Sequence, residues 1–332
     1  MKNNQVCFRI GIMMYCFLAI ILDSNAQKKM SVDNGYYITY PDKLAVRLFL
    51  SQKFAPFTLS SSINKEELNY KTNSKLILGI GATYKSVTLN LGYGFSFLNK
   101  DKGGKTKGLD LQLHIYPDKW GIDLLGSFRK GYYLDPKDVN GGLNLATYYQ
   151  RPDLKRDIVG LSVFRVPNSN KFSYRAAITQ NDWQTKSAGS LLYGGEAYYG
   201  LVEGDSALVP AKVSSNFGQA GVNKINFFSI GPGIGYAYTL VIKRFFFITG
   251  SAVATLDFNY SSEDGTNGKH SKISVLPGSI YKAAIGYNSS KYSVSANVLG
   301  NAIYAGVPSS SKKYFLPTGN IRLTLTKKIG LK

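Results

Sequence analysis

The sequence predicts an all-β fold, a single antiparallel transmembrane β-barrel of the outer-membrane type, with twelve strands expected and fourteen as the alternative. Three observations predict it. The chain opens with an export signal, its hydrophobicity then alternates with period two, and its connections alternate between short and long.

The signal comes first. Lys2 and Arg9 form a positive start, residues 10–22 are apolar apart from Gly11, Tyr15 and Cys16, and Ser24-Asn25-Ala26 supplies small residues for cleavage before Gln27. As a helix, residues 10–22 would reach about 20 Å, short of the roughly 30 Å hydrocarbon core, so a cleavable signal over 1–26 fits better than an anchor. A short periplasmic segment is expected over 27–43, and the barrel over 44–332. Both cysteines, Cys7 and Cys16, fall inside the signal. The mature chain therefore has no thiol for a disulfide, a metal or a nucleophile, as suits an oxidising compartment. No later stretch is apolar for the 18 or so residues a membrane helix needs.

Charge narrows the partners. The chain carries 40 Lys and Arg against 20 Asp and Glu, a formal charge of +20. Losing Lys2, Arg9 and Asp23 with the signal leaves +19. An exported chain without basic helical stripes is not expected to bind nucleic acid. Outer-membrane lipids and lipopolysaccharide are the expected anionic partners, with the barrel-assembly machinery during biogenesis.

The alternation is clearest from 87 to 97. Val87, Leu89, Leu91, Tyr93, Phe95 and Phe97 share one face; Thr88, Asn90, Gly92, Gly94 and Ser96 share the other. Leu76, Leu78, Ile80, Ala82 and Tyr84 repeat the pattern, as do Leu109, Leu111, Leu113 and Ile115. So do Ile230, Ile234, Tyr236, Tyr238 and Leu240; Phe246, Ile248, Ala252, Ala254, Leu256 and Phe258; and Tyr292, Val294, Ala296 and Val298. Ile321, Leu323 and Leu325 make the closing run. The opposite faces are mostly Gly, Ser, Thr and Asn rather than the Lys, Glu and Arg of a water-facing strand. That favours a crowded barrel interior over a soluble sandwich. Tight links at 85–86, 117–119, 167–171, 243–244 and 288–290 separate long polar ones at 53–73, 98–107, 134–155, 261–271 and 301–313. Thirteen runs can be counted. The weakest, 190–199, is assigned to a plug or long loop over 181–224, which leaves twelve, while the residues after 167–171 are counted as a strand.

Several stretches resemble one family. Asp42-Lys43-Leu44 with Arg47-Leu48, Gly81-Ala82-Thr83-Tyr84-Lys85, Leu89-Asn90-Leu91-Gly92-Tyr93-Gly94 and Arg151-Pro152-Asp153-Leu154 carry the likeness. Phe172-Ser173-Tyr174-Arg175-Ala176-Ala177, Lys186-Ser187-Ala188-Gly189-Ser190 and Gly235-Tyr236-Ala237-Tyr238-Thr239 extend it. Together they resemble an uncharacterised Bacteroidota outer-membrane β-barrel family, the domain of unknown function DUF4421. The resemblance implies an outer-membrane location and no activity. The closing residues Ile329-Gly330-Leu331-Lys332 lack the aromatic with which such barrels commonly end.

Chemistry-bearing residues are few. Alternation turns Arg47, Asp110, Gln112, His114, Asp123, Arg175 and Asp257 toward the interior, as lumen-lining candidates. His114 oriented by Asp110 could serve a lipid hydrolase or acyltransferase, but no nucleophile motif accompanies it, and an enzyme is not expected. His270 falls in a polar loop. Gly231-Pro232-Gly233-Ile234-Gly235 lacks the helix and Lys-Ser/Thr of a phosphate loop. No spacing suits a metal or cofactor. A narrow, porin-like channel or transporter for small solutes is the first expectation, and a structural or surface-interaction barrel with a sealed lumen the second.

Overall fold

The computed structural model describes residues 31–61, 66–85, 87–94, 103–136 and 147–330. The expected export signal over 1–26, Gln27, Phe95, Phe97 and the last two residues lie outside them. Two short strands, β1 (Val32–Asp33) and β2 (Tyr37–Thr39), precede the long β3 (Lys43–Phe54). Next come β4 (Phe57–Ser60), β5 (Glu67–Tyr70), β6 (Leu76–Tyr84), β7 (Val87–Tyr93), β8 (Lys107–Ile115), β9 (Trp120–Leu134) and β10 (Tyr149–Arg165). A five-residue helix, α1 (Tyr174–Ile178), and β11 (Trp183–Gln184) lead to β12 (Ala188–Glu203). After a 3-10 turn (Ala211–Asn216) come β13 (Val222–Ile242), β14 (Phe246–Gly265) and β15 (Gly268–Asn288). The chain finishes with β16 (Tyr292–Ala302), β17 (Tyr304–Gly306), β18 (Lys313–Phe315) and β19 (Thr318–Gly330).

Twelve of these strands form one antiparallel sheet in the order β10-β12-β13-β14-β15-β16-β19-β3-β6-β7-β8-β9. Because β9 also pairs with β10, from Arg165↔Trp120 to Tyr149↔Leu134, the sheet is a ring. Alternation sets its two faces. Along β14, Phe246, Ile248, Ala252, Ala254, Leu256, Phe258 and Tyr260 are exposed, whereas Phe247, Thr249, Ser251, Val253, Thr255, Asp257 and Asn259 are buried. Burial marks the inside of the ring, and the outside is a continuous apolar surface.

That surface is uneven in height. On β14 it runs from Phe246 to Tyr260, about 46 Å of strand, while on β3 it runs from Leu44 to Leu50, about 20 Å, before Gln52 ends it. The tight links and both ends of the ring-forming chain gather at one rim, where Lys43 faces Gly330. At that rim Lys85, Lys243 and Arg244 take positive φ (54°, 50° and 69°), the left-handed conformation that two-residue hairpin turns require.

Twelve strands were expected, but the set differs in two places. Residues 188–203, expected in a plug over 181–224, form β12 and pair along their whole length with β13. The plug assignment fails because Leu192 and Tyr198 turn inward to pack on apolar material inside the ring, which blurs the polar face. The opposite error concerns the residues after 167–171, which form α1 rather than a strand, so Arg175 sits on a helix and not on an inward strand face. Ser173 caps that helix, its hydroxyl accepting from the Ala176 amide. The expected loop at 261–271 is the tip of the β14–β15 hairpin, paired out to Gly265↔Gly268.

Both mouths of the ring are filled. At the rim of the long connections, β17, β18, β4 and β5 make a four-stranded sheet. It packs with Leu208, Val209, Val213 and Phe217 over Leu134, Leu154, Ile158 and Phe227 of the ring, all buried. At the tight-turn rim, α1 and the three-stranded sheet β1-β2-β11 close the opening, with Phe172, Tyr174, Ala177 and Ile178 packed on Tyr116, Phe164, Leu192 and Val253.

Candidate functional site

Polar chemistry collects between the two caps, inside the ring. Its densest node is on β8 and β9, where the register sets His114 opposite Asp123. His114 Nδ1 lies 2.5 Å from Asp123 Oδ1, and the Tyr116 hydroxyl donates to the same oxygen at 2.6 Å. The other carboxylate oxygen receives the Lys282 ammonium, which also reaches the Tyr116 hydroxyl at 3.2 Å. Lys282 stands on β15, five strands away from β9 in a ring of twelve. This bond therefore crosses the interior.

Two further contacts do the same. Asn320 of β19 donates to Gln112 of β8 at 2.9 Å, and Tyr198 of β12 reaches Asn301 of β16 at 3.3 Å. Between these bridges lies a cavity of about 40 Å³, lined by His114, Asp123, Ser162, Tyr198, Lys282 and Asn301 among others. It has room for about three waters. Higher up, Asp110 takes Arg129 and Lys53, the latter at 3.2 Å.

A carboxyl pair forms a second node. Glu196 accepts from Thr255 at 2.8 Å and from Tyr198 at 3.0 Å. Asp257 shares the spot: Glu196 Oε1 and Asp257 Oδ2 each lie 3.0 Å from where a side chain at Gly278 would begin. Glycine at 278 is what leaves room for both carboxyls. Arg47 lies apart from both nodes, held by the Thr179 carbonyl and Asn181 at the edge of the tight-turn cap.

The residues singled out by sequence thus divide. His114 and Asp123 come together, Gln112 and Asp110 sit on the same wall in separate contacts, and Asp257 and Arg47 stand elsewhere in the interior. Arg175 is in the cap, paired with Asp182 at 2.9 Å and Asp118 at 2.8 Å. His114 is oriented by Asp123, not by Asp110, because opposing residues of an antiparallel pair meet more closely than next-nearest residues of one strand. Sequence reasoning missed Lys282, Glu196 and Arg129. Lys282 was within reach of parity alone, since Tyr281, Ala283 and Ile285 alternate with Ile280, Lys282 and Ala284.

Asp123 accepts three donors, and no described serine, threonine or cysteine hydrogen-bonds to His114. The arrangement ties strands across the ring. Among the described residues no group of His, Cys, Asp and Glu has the make-up of a metal site. In the four-stranded cap at the rim of the long connections, called the outer cap, burial and the neighbouring Glu263 carboxylate push the Tyr314 hydroxyl well above the usual range, and the two share a hydrogen bond.

Fold and interior define a mostly β protein, a twelve-stranded antiparallel ring with an apolar outside and a braced, polar inside. The chain belongs to the family of the domain of unknown function DUF4421, whose model matches residues 31–325. Among solved structures, the outer membrane protease OmpT of Escherichia coli is similar at 10% identity over 88% of this chain and 97% of its own, with a TM-score of 0.35. An outer membrane channel from Pseudomonas putida F1 matches at 11% identity over 90% of this chain and 100% of its own, with a TM-score of 0.32. Ail, the attachment invasion locus protein of Yersinia pestis, matches at 8% identity over 87% and 99%, with a TM-score of 0.19. No curated protein matches.

Proposed function

We propose that the ring is a closed β-barrel crossing the outer membrane, with a sealed interior, and that it works through its two ends rather than as a channel. The observation that carries this reading is the set of bridges between facing walls, Lys282 to Asp123, Asn320 to Gln112 and Tyr198 to Asn301, with apolar caps above and below. A solute would have to break buried polar contacts and displace a cap to pass. The outside supports the membrane: exposed Leu, Ile, Val and Phe form the belt. Tyr84, Trp120, Phe246 and Tyr292 edge it at the tight-turn rim, and Tyr93, Tyr199 and Tyr260 toward the other. In this proposal residues 1–26 are removed on export, the tight turns face the periplasm, and His114 is a brace rather than a base.

Two measurements test it together. Protein extracted from the outer membrane in detergent should migrate differently with and without boiling, and the unboiled form should give no conductance steps in planar bilayers. Reproducible steps from the folded form would overturn the sealed interior. Recovery in the soluble periplasmic fraction would overturn the membrane assignment.

A further inference from the structure

Charge is distributed unevenly inside the ring. Strands β8, β9, β12 and β14 supply Asp110, Asp123, Glu196 and Asp257, but the five consecutive ring strands β16, β19, β3, β6 and β7 contain no Asp or Glu. That wall nevertheless turns two arginines inward. Arg47 on β3 is only 5% exposed, and Arg322 on β19 is half-buried with its Nε enclosed. Arg322 leans along the wall toward Arg47, its guanidinium 4.5 Å from the centre of the Phe49 ring. Gly79 leaves room for that ring, because a Cβ there would overlap it.

Neither arginine meets a carboxylate among the described residues. Arg47 donates only to neutral oxygens, the Thr179 carbonyl and Asn181 Oδ1, and its Nε has no partner. Arg322 has no hydrogen-bond partner among the described residues. The register sets Ser51 opposite Arg322 and Thr326 opposite Arg47, with Thr324 between. The hydroxyls of all three are buried and also lack partners. Water can satisfy a hydroxyl. It does not neutralise two guanidiniums held in a low-dielectric interior, where an uncompensated charge is strongly disfavoured.

We propose that this wall binds one small inorganic anion of the phosphate class between Arg47 and Arg322, with the Thr324 hydroxyl, midway between them, as a further donor. Guanidinium forks suit a tetrahedral oxyanion, and a cluster of donors without an acid has no use for a cation. The site lies behind both caps, so the anion should exchange slowly. The inference goes beyond the sealed barrel and does not require it: a conducting barrel that still held the anion would refute the one and leave the other.

The test uses the full mature chain, folded in detergent and dialysed into a sulfonate buffer, with anions released by denaturation and counted. About one phosphate per chain is expected after folding in phosphate, with thermal unfolding several degrees higher than after folding without it. Arg322→Gln should lose both, retaining less than about a tenth of the anion, and should be no less stable than the wild type in the anion-free buffer because it sheds an unpaired charge. Arg322→Lys, which keeps the charge but not the fork, should retain an intermediate amount and guards against a Gln variant that fails to fold. Equal stabilisation of wild type and Arg322→Gln by phosphate would mean a general salt effect and would overturn the site. So would the absence of retained anion in the wild type, with chloride as with phosphate.

Discussion

The two mouths of the ring are closed by different physics. The outer cap is an oil-like core, 22 buried apolar residues among those described, joining β4, β5, β17 and β18 to the ring. The tight-turn cap rests on a smaller cluster, 12 residues among those described, and on directional bonds. Asp182 accepts from Ser173 at 2.6 Å and Arg175 at 2.9 Å, Gln180 from Ser295 at 3.0 Å, and the Asp182 carbonyl from Asn288 at 2.8 Å. The Trp183 indole donates to the Arg244 carbonyl at 2.9 Å. Apolar packing weakens by degrees as atoms are removed, whereas a polar anchor fails as a unit when its shared acceptor goes. The outer cap should therefore unfold with the ring, and the tight-turn cap should be able to open alone.

Asp182→Ala tests this most severely. It strips both partners of one buried carboxylate and should cost the cap about 3 to 4 kcal/mol. Hydrogen exchange should quicken across residues 172–184 while the ring strands keep their protection; equal loss of protection in the ring would erase the distinction. Leu59→Ala, in the outer cap, should cost about 2 to 3 kcal/mol and lower global stability in denaturant titrations without a separate local opening. Ser173→Ala removes the helix cap and one of the two side-chain donors to Asp182 but leaves Arg175 on it, and should cost about 1 to 2 kcal/mol, again confined to 172–184.

The smallest effect is alkaline. Tyr40, just before β3, is buried, and burial with the nearby Asp182 carboxylate pushes its hydroxyl up to about 12. A raised pKa means that its stabilising share is complete below pH 10 or so and is lost as pH climbs through about 12. Ultraviolet titration of wild type against Tyr40→Phe should show one phenol ionising late. Ionisation near pH 10 would place Tyr40 in water.

The ring was legible where its inside is plain. Strands such as β14 and β16 line the interior with Ser, Thr and Asn, and there parity gives both faces. Around β12 and α1 the code fails, because the caps place apolar residues inside the ring. Leu192 and Tyr198 then look wrong for a lumen, while the buried Phe172, Tyr174, Ala176 and Ile178, each two residues from the next, imitate a strand face. Site residues follow the same logic. Parity finds that His114 and Asp123 point inward, but which acid reaches the histidine depends on register, and Lys282 joins them only because the ring closes five strands away.

The unequal height of the apolar outside has a consequence for the lipid. A bilayer has nearly uniform thickness, so a belt about 46 Å long on β14 and about 20 Å on β3 cannot both be matched by an upright ring, whatever the strand tilt. With the barrel seated as proposed, acyl chains beside β3 and β19 would be compressed or the whole body would lean toward that side. Such a thinned margin attracts neighbours with equally short belts, since sharing it relieves the strain, and Leu48, Leu323 and Leu325 would be the side chains they meet.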